Sequence, residues 1–181
     1  MKRSLLIGLI IVVVAGCVPW IRTGGPYSAP AQNVTVELPD GWMRLNTPDY
    51  LLITRDGLML EYILIEKIYV DDDLRYTKKK FRRGMLPQEL AGVILDNIDS
   101  NQDNLKMKVI SNIPQKICGY SGFKVIFTFN NKDSLKYKSI YYGFMSGDYF
   151  YGIRYNASQR HYFAREIETF NRVVDSLRLS S

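Results

Sequence analysis

Few residues in this chain have the types and spacing that chemistry requires. Cys118-Gly119-Tyr120-Ser121-Gly122 sets a thiol and a hydroxyl between glycines. A nucleophilic serine elbow needs Gly-x-Ser-x-Gly at a strand-to-helix turn. Here the spacing differs and a strand-like run follows, so the segment reads as a turn before Phe123. His161, the one histidine, falls one turn into a helical stretch and has no partner for acid-base work. One histidine and one spare cysteine do not make a zinc site. Asp99-Ser100-Asn101-Gln102-Asp103 opens like a calcium loop. Asn104 stands where such a loop needs glycine, and Ile110 where it needs a closing glutamate. It reads as a polar helix end, and Asp71-Asp72-Asp73 as a solvated turn. The residues therefore point to no catalytic constellation, metal or cofactor, and to a protein that is not an enzyme.

Cys17 is different. Lys2 and Arg3 form a basic start, Leu5 to Val14 an apolar run, and Val14-Ala15-Gly16-Cys17 a small-residue exit. That is the layout of a secretory signal. The apolar run is too short to span a bilayer, which takes about 20 residues. The tetrapeptide resembles the bacterial lipobox, whose cysteine is acylated and becomes the mature N-terminus. Residues 1–16 are then a signal peptide and Cys17 a lipid attachment site carrying palmitate-type chains. Each buried methylene contributes about 0.8 kcal/mol, so several chains on one residue anchor a protein without a spanning helix. Such a chain belongs in the cell envelope with its domain outside the cytoplasm. Val18 after the cysteine fits the periplasmic face of the outer membrane rather than the inner membrane in a Gram-negative cell.

Charge and cysteine count agree with that placement. Loss of Lys2 and Arg3 leaves 22 basic and 18 acidic side chains, a net of +4. This is too mild for a nucleic-acid binder, which shows a strong basic stripe. With Cys17 acylated, Cys118 is left without a partner, and no disulfide is expected within the chain. The basic run Lys78, Lys79, Lys80, Phe81, Arg82 and Arg83 has two readings. One is a solvated stretch that balances the aspartates before it. The other is a membrane or partner contact, with clustered cations worth about 1 kcal/mol each near anionic lipid and Phe81 at headgroup level.

Residues 17–33 are rich in Gly and Pro and lack periodicity, so they read as the lipidated cysteine and a flexible tether. The domain runs over 34–181. Strands are expected at 34–38, after Trp42, at 50–55 and at 58–70, with Asp56-Gly57 a tight hairpin turn between the last two. Residues 71–84 form a loop. A helix opens at Pro87 and buries Leu90, Ala91, Ile94, Leu95 and Ile98. Residues 106–117 contain Pro114 and read as an edge strand. Phe123, Val125, Phe127 and Phe129 share one strand face. Strands at 135–145 and 149–156 flank Ser146-Gly147-Asp148. A terminal helix, with Ser158 as N-cap, carries the stripe Phe163, Ile167, Phe170, Val174 and Leu177. Helices that bury such stripes must cover sheet faces. The fold class is thus α+β, an α-β-α sandwich around a central antiparallel sheet.

The order of these signals is informative. LPDGW, the Asp-Gly hairpin, LPQEL, CGYSGFKVIFTF, YYGFMSGDYFYGIRYNAS and YFAREIETFNRVVDSLRL follow one another over residues 34–181. Together they resemble the PsbP-like superfamily, which includes bacterial envelope lipoproteins of the DcrB type. The resemblance implies the same α-β-α sandwich and a non-catalytic role in docking other proteins. It carries no active site. Two functions follow as expectations: an anchored envelope protein that docks a protein partner, or a carrier of an apolar small molecule or lipid in a helix-sheet pocket. The anchor has a direct check. Protein extracted from bacterial membranes should have a mass that starts at Cys17 and includes acyl chains, and Cys17→Ala should lose both.

Overall fold

The structure is a computed structural model and describes residues 19–180. The signal segment and Cys17 lie outside the described residues. In chain order the strands are β1 (Trp20–Arg22), β2 (Gly25–Ala29), β3 (Val34–Leu38), β4 (Met43–Leu45), β5 (Leu51–Thr54), β6 (Glu61–Tyr69), β7 (Leu105–Ile117), β8 (Tyr120–Asn130), β9 (Lys136–Ser146), β10 (Tyr149–Ser158) and β11 (Arg178–Leu179). Helix α1 (Pro87–Asp99) lies between β6 and β7, and α2 (Tyr162–Ser176) precedes β11. Eight strands form one sheet in the order β1-β4-β5-β6-β10-β9-β8-β7, and β11-β3-β2 form a second. All of the pairings are antiparallel.

The large sheet is apolar on both faces, and strand periodicity divides it. On one face Phe123, Val125, Phe127, Phe129, Tyr137, Tyr141 and Phe150 pack with Leu90, Ala91, Ile94 and Ile98 of α1. On the other, Ile63, Ile65, Ile140, Tyr142, Phe144, Tyr151, Ile153 and Tyr155 meet Phe163, Phe170 and Val173 of α2. Val34, Val36 and Leu38 of the small sheet, with Trp42, complete this second layer. The expected sandwich is present, and the small sheet is an addition to it. Helix α1 begins at Pro87 as expected, and the Glu89 carboxylate accepts the Leu86 N–H at 2.7 Å.

Tight turns fix the long hairpins. Cys118 and Gly119 both adopt positive φ, 50° and 86°. A two-residue turn with left-handed backbone at both positions matches the twist of its strands, so Ile117 pairs directly with Tyr120. Gly147, at φ 58°, does the same work between Ser146 and Tyr149.

Four local expectations are corrected. Residues 20–29 are not tether: Trp20, Ile21 and Arg22 pair with Leu45, Arg44 and Met43, and Gly25–Ala29 pairs with β3. These strands are too short to show periodicity, and their glycines and prolines masked them. Asp56-Gly57 does not close a two-residue turn, because residues 55–60 separate β5 from β6. The buried Glu61 holds that longer loop by accepting the N–H groups of Arg55 at 3.1 Å and Asp56 at 2.7 Å. Ser158 does not cap α2. It ends β10, opposite Tyr137, and its N–H donates to the Leu60 carbonyl at 2.8 Å, so pairing overrides the capping preference. The helix starts at Tyr162, behind an exposed His161.

The fourth correction concerns Phe81. It is 2% exposed and stacks on Phe150 with ring centroids 4.2 Å apart and planes 13° apart. The loop between β6 and α1 is a strap over the α1 face, with Val70, Leu74 and Phe81 as its buried points. The basic residues around Phe81 hid its apolar role. Replacing a buried phenylalanine by alanine costs about 3–5 kcal/mol. Phe81→Ala should lose that much in urea unfolding, and a loss under about 1 kcal/mol would return Phe81 to the surface.

Candidate functional site

Three of the five cations of the basic run are paired locally. Lys79 Nζ lies 2.6 Å from Asp96, Lys80 Nζ 3.6 Å from Asp73, and Arg83 Nε 2.6 Å from Asp148. These are exposed pairs worth little in stability, but they spend the charge locally. Hydrogen bonding to Arg83 holds the Asp148 carboxyl below its ordinary range. Phe81 is in the core and so is not available for headgroup contact.

A different cluster has the makings of a site. Helix α1 covers β8 and β9 but leaves part of β6 and β10 open. There a groove of about 320 Å³ runs between the sheet and the helix. Its floor is Tyr62, Glu66, Tyr141 and Arg154, and its rim includes Asn97, Asn101 and Asn104 at the helix end. The Tyr141 hydroxyl donates to Glu66 Oε1 at 2.7 Å. Gly152 lies between them, and a Cβ at that position would collide with the Tyr141 hydroxyl and crowd the Glu66 carboxylate. The glycine is what lets the pair meet over β10.

Arg154 is held in an unusual way. Its guanidinium carbon lies 5.9, 5.4 and 5.8 Å from the ring centroids of Tyr62, Phe127 and Phe129. Its polar contacts are long, with Nη2 3.4 Å from Ser139 Oγ and 3.5 Å from Asn156 Oδ1. Its Nε is buried and has no hydrogen-bond partner. Burial pushes the Glu66 carboxyl above its ordinary 4.5, while the Tyr141 hydrogen bond and the Arg154 charge pull it down. Burial and the neighbouring carboxylate push the Tyr141 hydroxyl well up. This pattern offers hydrogen bonding and a cation on the floor of a groove that exposed Arg75 of the strap also lines. It offers no activated nucleophile. Desolvation raises the Cys118 thiol, which donates to the Leu177 carbonyl at 2.8 Å. Among the described residues no three His, Cys, Asp or Glu side chains gather as metal ligands.

Sequence reasoning missed this cluster. Glu66 and Arg154 are polar residues on strands that otherwise read as core, which was the available signal. Their meeting needs β6 and β10 to be neighbours, a pairing of residues far apart in the chain.

The second feature is β7. It forms one edge of the large sheet, and its residues are exposed on both faces apart from Met107, Ser111 and Ile117. Leu105, Val109, Ile110 and Ile113 are all more than 40% exposed. Pro114 and two register irregularities interrupt the edge, which are common devices against unwanted pairing. Lys106, Lys108 and Lys116 lie along the same strand, which has no acidic residue.

No protein-family model matches the sequence, and no curated protein matches it significantly. Solved structures do match. Cyanobacterial PsbP (CyanoP) from Synechocystis superposes with a TM-score of 0.61 at 12% identity, over 88% of this chain and 94% of that one. The Ran-binding protein Mog1p of Saccharomyces cerevisiae gives 0.58 at 9% identity, over 88% and 96%. The chain has the PsbP-like fold. A protein of Bacteroides thetaiotaomicron also matches, at 0.55 and 13% identity, over 88% of this chain but 49% of that one. At these identities the likeness speaks to the fold alone.

The raised Glu66 carboxyl has a consequence for stability. The folded PsbP-like domain holds this proton more tightly than the unfolded chain does. The stability it contributes is complete below pH 4.5 and is lost as pH rises through the folded value. Glu66→Gln should therefore gain in urea midpoint relative to wild type as pH rises from 4 to 8. A constant loss across that range would mean that the carboxylate stays ionised against Arg154.

Proposed function

We propose that this chain is a lipid-anchored protein of the bacterial cell envelope, without catalysis, that docks an extended acidic segment of an envelope protein on its β7 edge. The observation that carries the docking reading is the long, exposed and apolar β7. An edge strand presents unpaired N–H and C=O groups, and a partner strand that adds to it gains main-chain hydrogen bonds. Leu105, Val109, Ile110 and Ile113 supply apolar contact, and the lysines of β7 select for acidic residues. A second copy of β7 would set lysines against lysines and is the poorer occupant.

The position of Cys17 supports the same reading. Two residues, Val18 and Pro19, separate it from Trp20, the start of β1, and β1 is the opposite edge of the large sheet. Three peptide units reach about 11 Å at most. Acylation would therefore hold the β1 edge close to the bilayer. Seven interstrand steps of about 4.8 Å place β7 roughly 34 Å across the sheet from that edge. The anchored edge and the docking edge are then separate surfaces. PsbP-like neighbours include a protein described as Ran-binding, which accords with a docking role for this scaffold. A lipid carrier fits less well. The groove beside α1 is open and has charged residues on its floor, not an enclosed apolar chamber.

Photo-crosslinking in cells tests the docking reading. A crosslinker at position 110 should give one discrete adduct, while one at exposed Glu168 on α2 should not. Lys108→Glu with Lys116→Glu should weaken that adduct roughly tenfold or more, the scale of a few charge contacts. No adduct from position 110, or one that survives the charge reversal, would overturn the reading.

A further inference from the structure

We infer that the groove between α1 and the sheet binds a small amphipathic carboxylate, with its carboxylate on Arg154 and its apolar body toward the helix. The argument begins with the cation. A guanidinium has five N–H donors in a fixed fork, and Arg154 uses few of them well. Both of its polar contacts go to neutral oxygens at 3.4 and 3.5 Å, and its buried Nε has no partner. No carboxylate lies within ion-pair distance of it among the described residues. Asp103, on the rim of an adjoining pocket that Arg154 also lines, is held by Lys132 at 2.5 Å. Glu66 gives one oxygen to Tyr141. A guanidinium whose donors are poorly satisfied costs free energy, and an oxyanion in the groove would accept from its terminal N–H groups.

The surroundings select the kind of anion. Two cations line the groove: Arg154, ringed by three aromatic faces on its floor, and Arg75 of the strap, which is exposed and lies 5.3 Å from the Tyr76 ring centroid. The single cation on the floor suits a single charge better than a phosphate dianion, which usually draws several donors. The bidentate fork of arginine matches the two oxygens of a carboxylate. Leu64, Ile68, Leu74 and Ile94 are among the other lining residues and offer apolar contact. A volume of about 320 Å³ is at the low end for a small-molecule site, so the ligand is short. This inference stands apart from the β7 edge and does not depend on it.

The test uses the full chain reconstituted in lipid nanodiscs, with its isoleucine methyl groups followed by NMR. The probes are hexanoate, hexanol and inorganic phosphate. Hexanoate should shift the Ile94 and Ile98 methyl signals saturably, and hexanol of the same length should bind at least roughly tenfold more weakly. Arg154→Gln should weaken hexanoate by a similar factor and leave hexanol unchanged, while Arg154→Lys should fall between the two. The preference for hexanoate over hexanol is read on the wild-type chain, so it stands even if Arg154→Gln does not fold. Equal binding of hexanoate and hexanol, tighter binding of phosphate, or no saturable shift would each overturn the inference.

Discussion

The large sheet is apolar on both faces, and most of the molecule follows from that constraint. A strand that places Phe123, Val125 and Phe127 on one side leaves its neighbours Ile140, Tyr142 and Phe144 facing the other way. Neither layer can be left in water. Full burial of one such side chain contributes about 1.5–3 kcal/mol, so exposure of a whole face would exceed the stability of an ordinary domain. Each face therefore needs its own cover. Helix α1 and the strap that carries Phe81 close one side. Helix α2 and the small sheet close the other.

The covers are unequal, and the open places follow from this. Helix α1 has four buried positions and sits over β7, β8 and β9, to one side of β6 and β10. There the sheet carries Glu66, Tyr141 and Arg154 where a fully covered sheet would carry leucine or valine. On the other face, polar residues serve attachment instead. Arg165 bridges Asp56 and Glu166, the latter at 2.9 Å, and Arg55 reaches the same Glu166 at 2.8 Å. The loop after β5 is thereby tied to α2. Breaking a buried ionic group from its partners is costly, so this network fixes the helix in position. The Arg154 cluster joins strands of one sheet and forms no ion pair to either helix among the described residues, and it lines the groove beside α1.

The two sheet edges also differ. β1 is three residues long and adjoins the expected lipid attachment residue, while β7 is thirteen residues long and largely uncovered. A sheet built by hairpins from β6 onward ends on the strand that no later element joins. The α1 crossover delivers the chain to the far side, and β8, β9 and β10 then return toward β6. The long bare edge is thus a product of the topology, and its lysines, proline and irregular register keep it soluble.

Local signals are enough for the strand at 34–38, the start of α1 at Pro87, the edge character of the strand with Pro114, and the hairpin at Gly147. Each is set by a few neighbouring residues: a period of two, a proline in a first turn, a glycine with positive φ. The signal-like segment before Cys17 belongs to the same class, since its order of basic, apolar and small residues is itself the evidence. Other features became visible only in the tertiary structure. Trp20–Arg22 is a strand because β4 pairs with it, and Phe81 is core because Phe150 lies beneath it. Glu66 and Arg154 form a cluster because β6 and β10 are neighbours, and α1 lies over β7, β8 and β9 instead. In each of these cases the deciding partner is distant along the chain. Local sequence determines how a segment bends and which side is apolar, whereas the register of distant strands determines what that side meets.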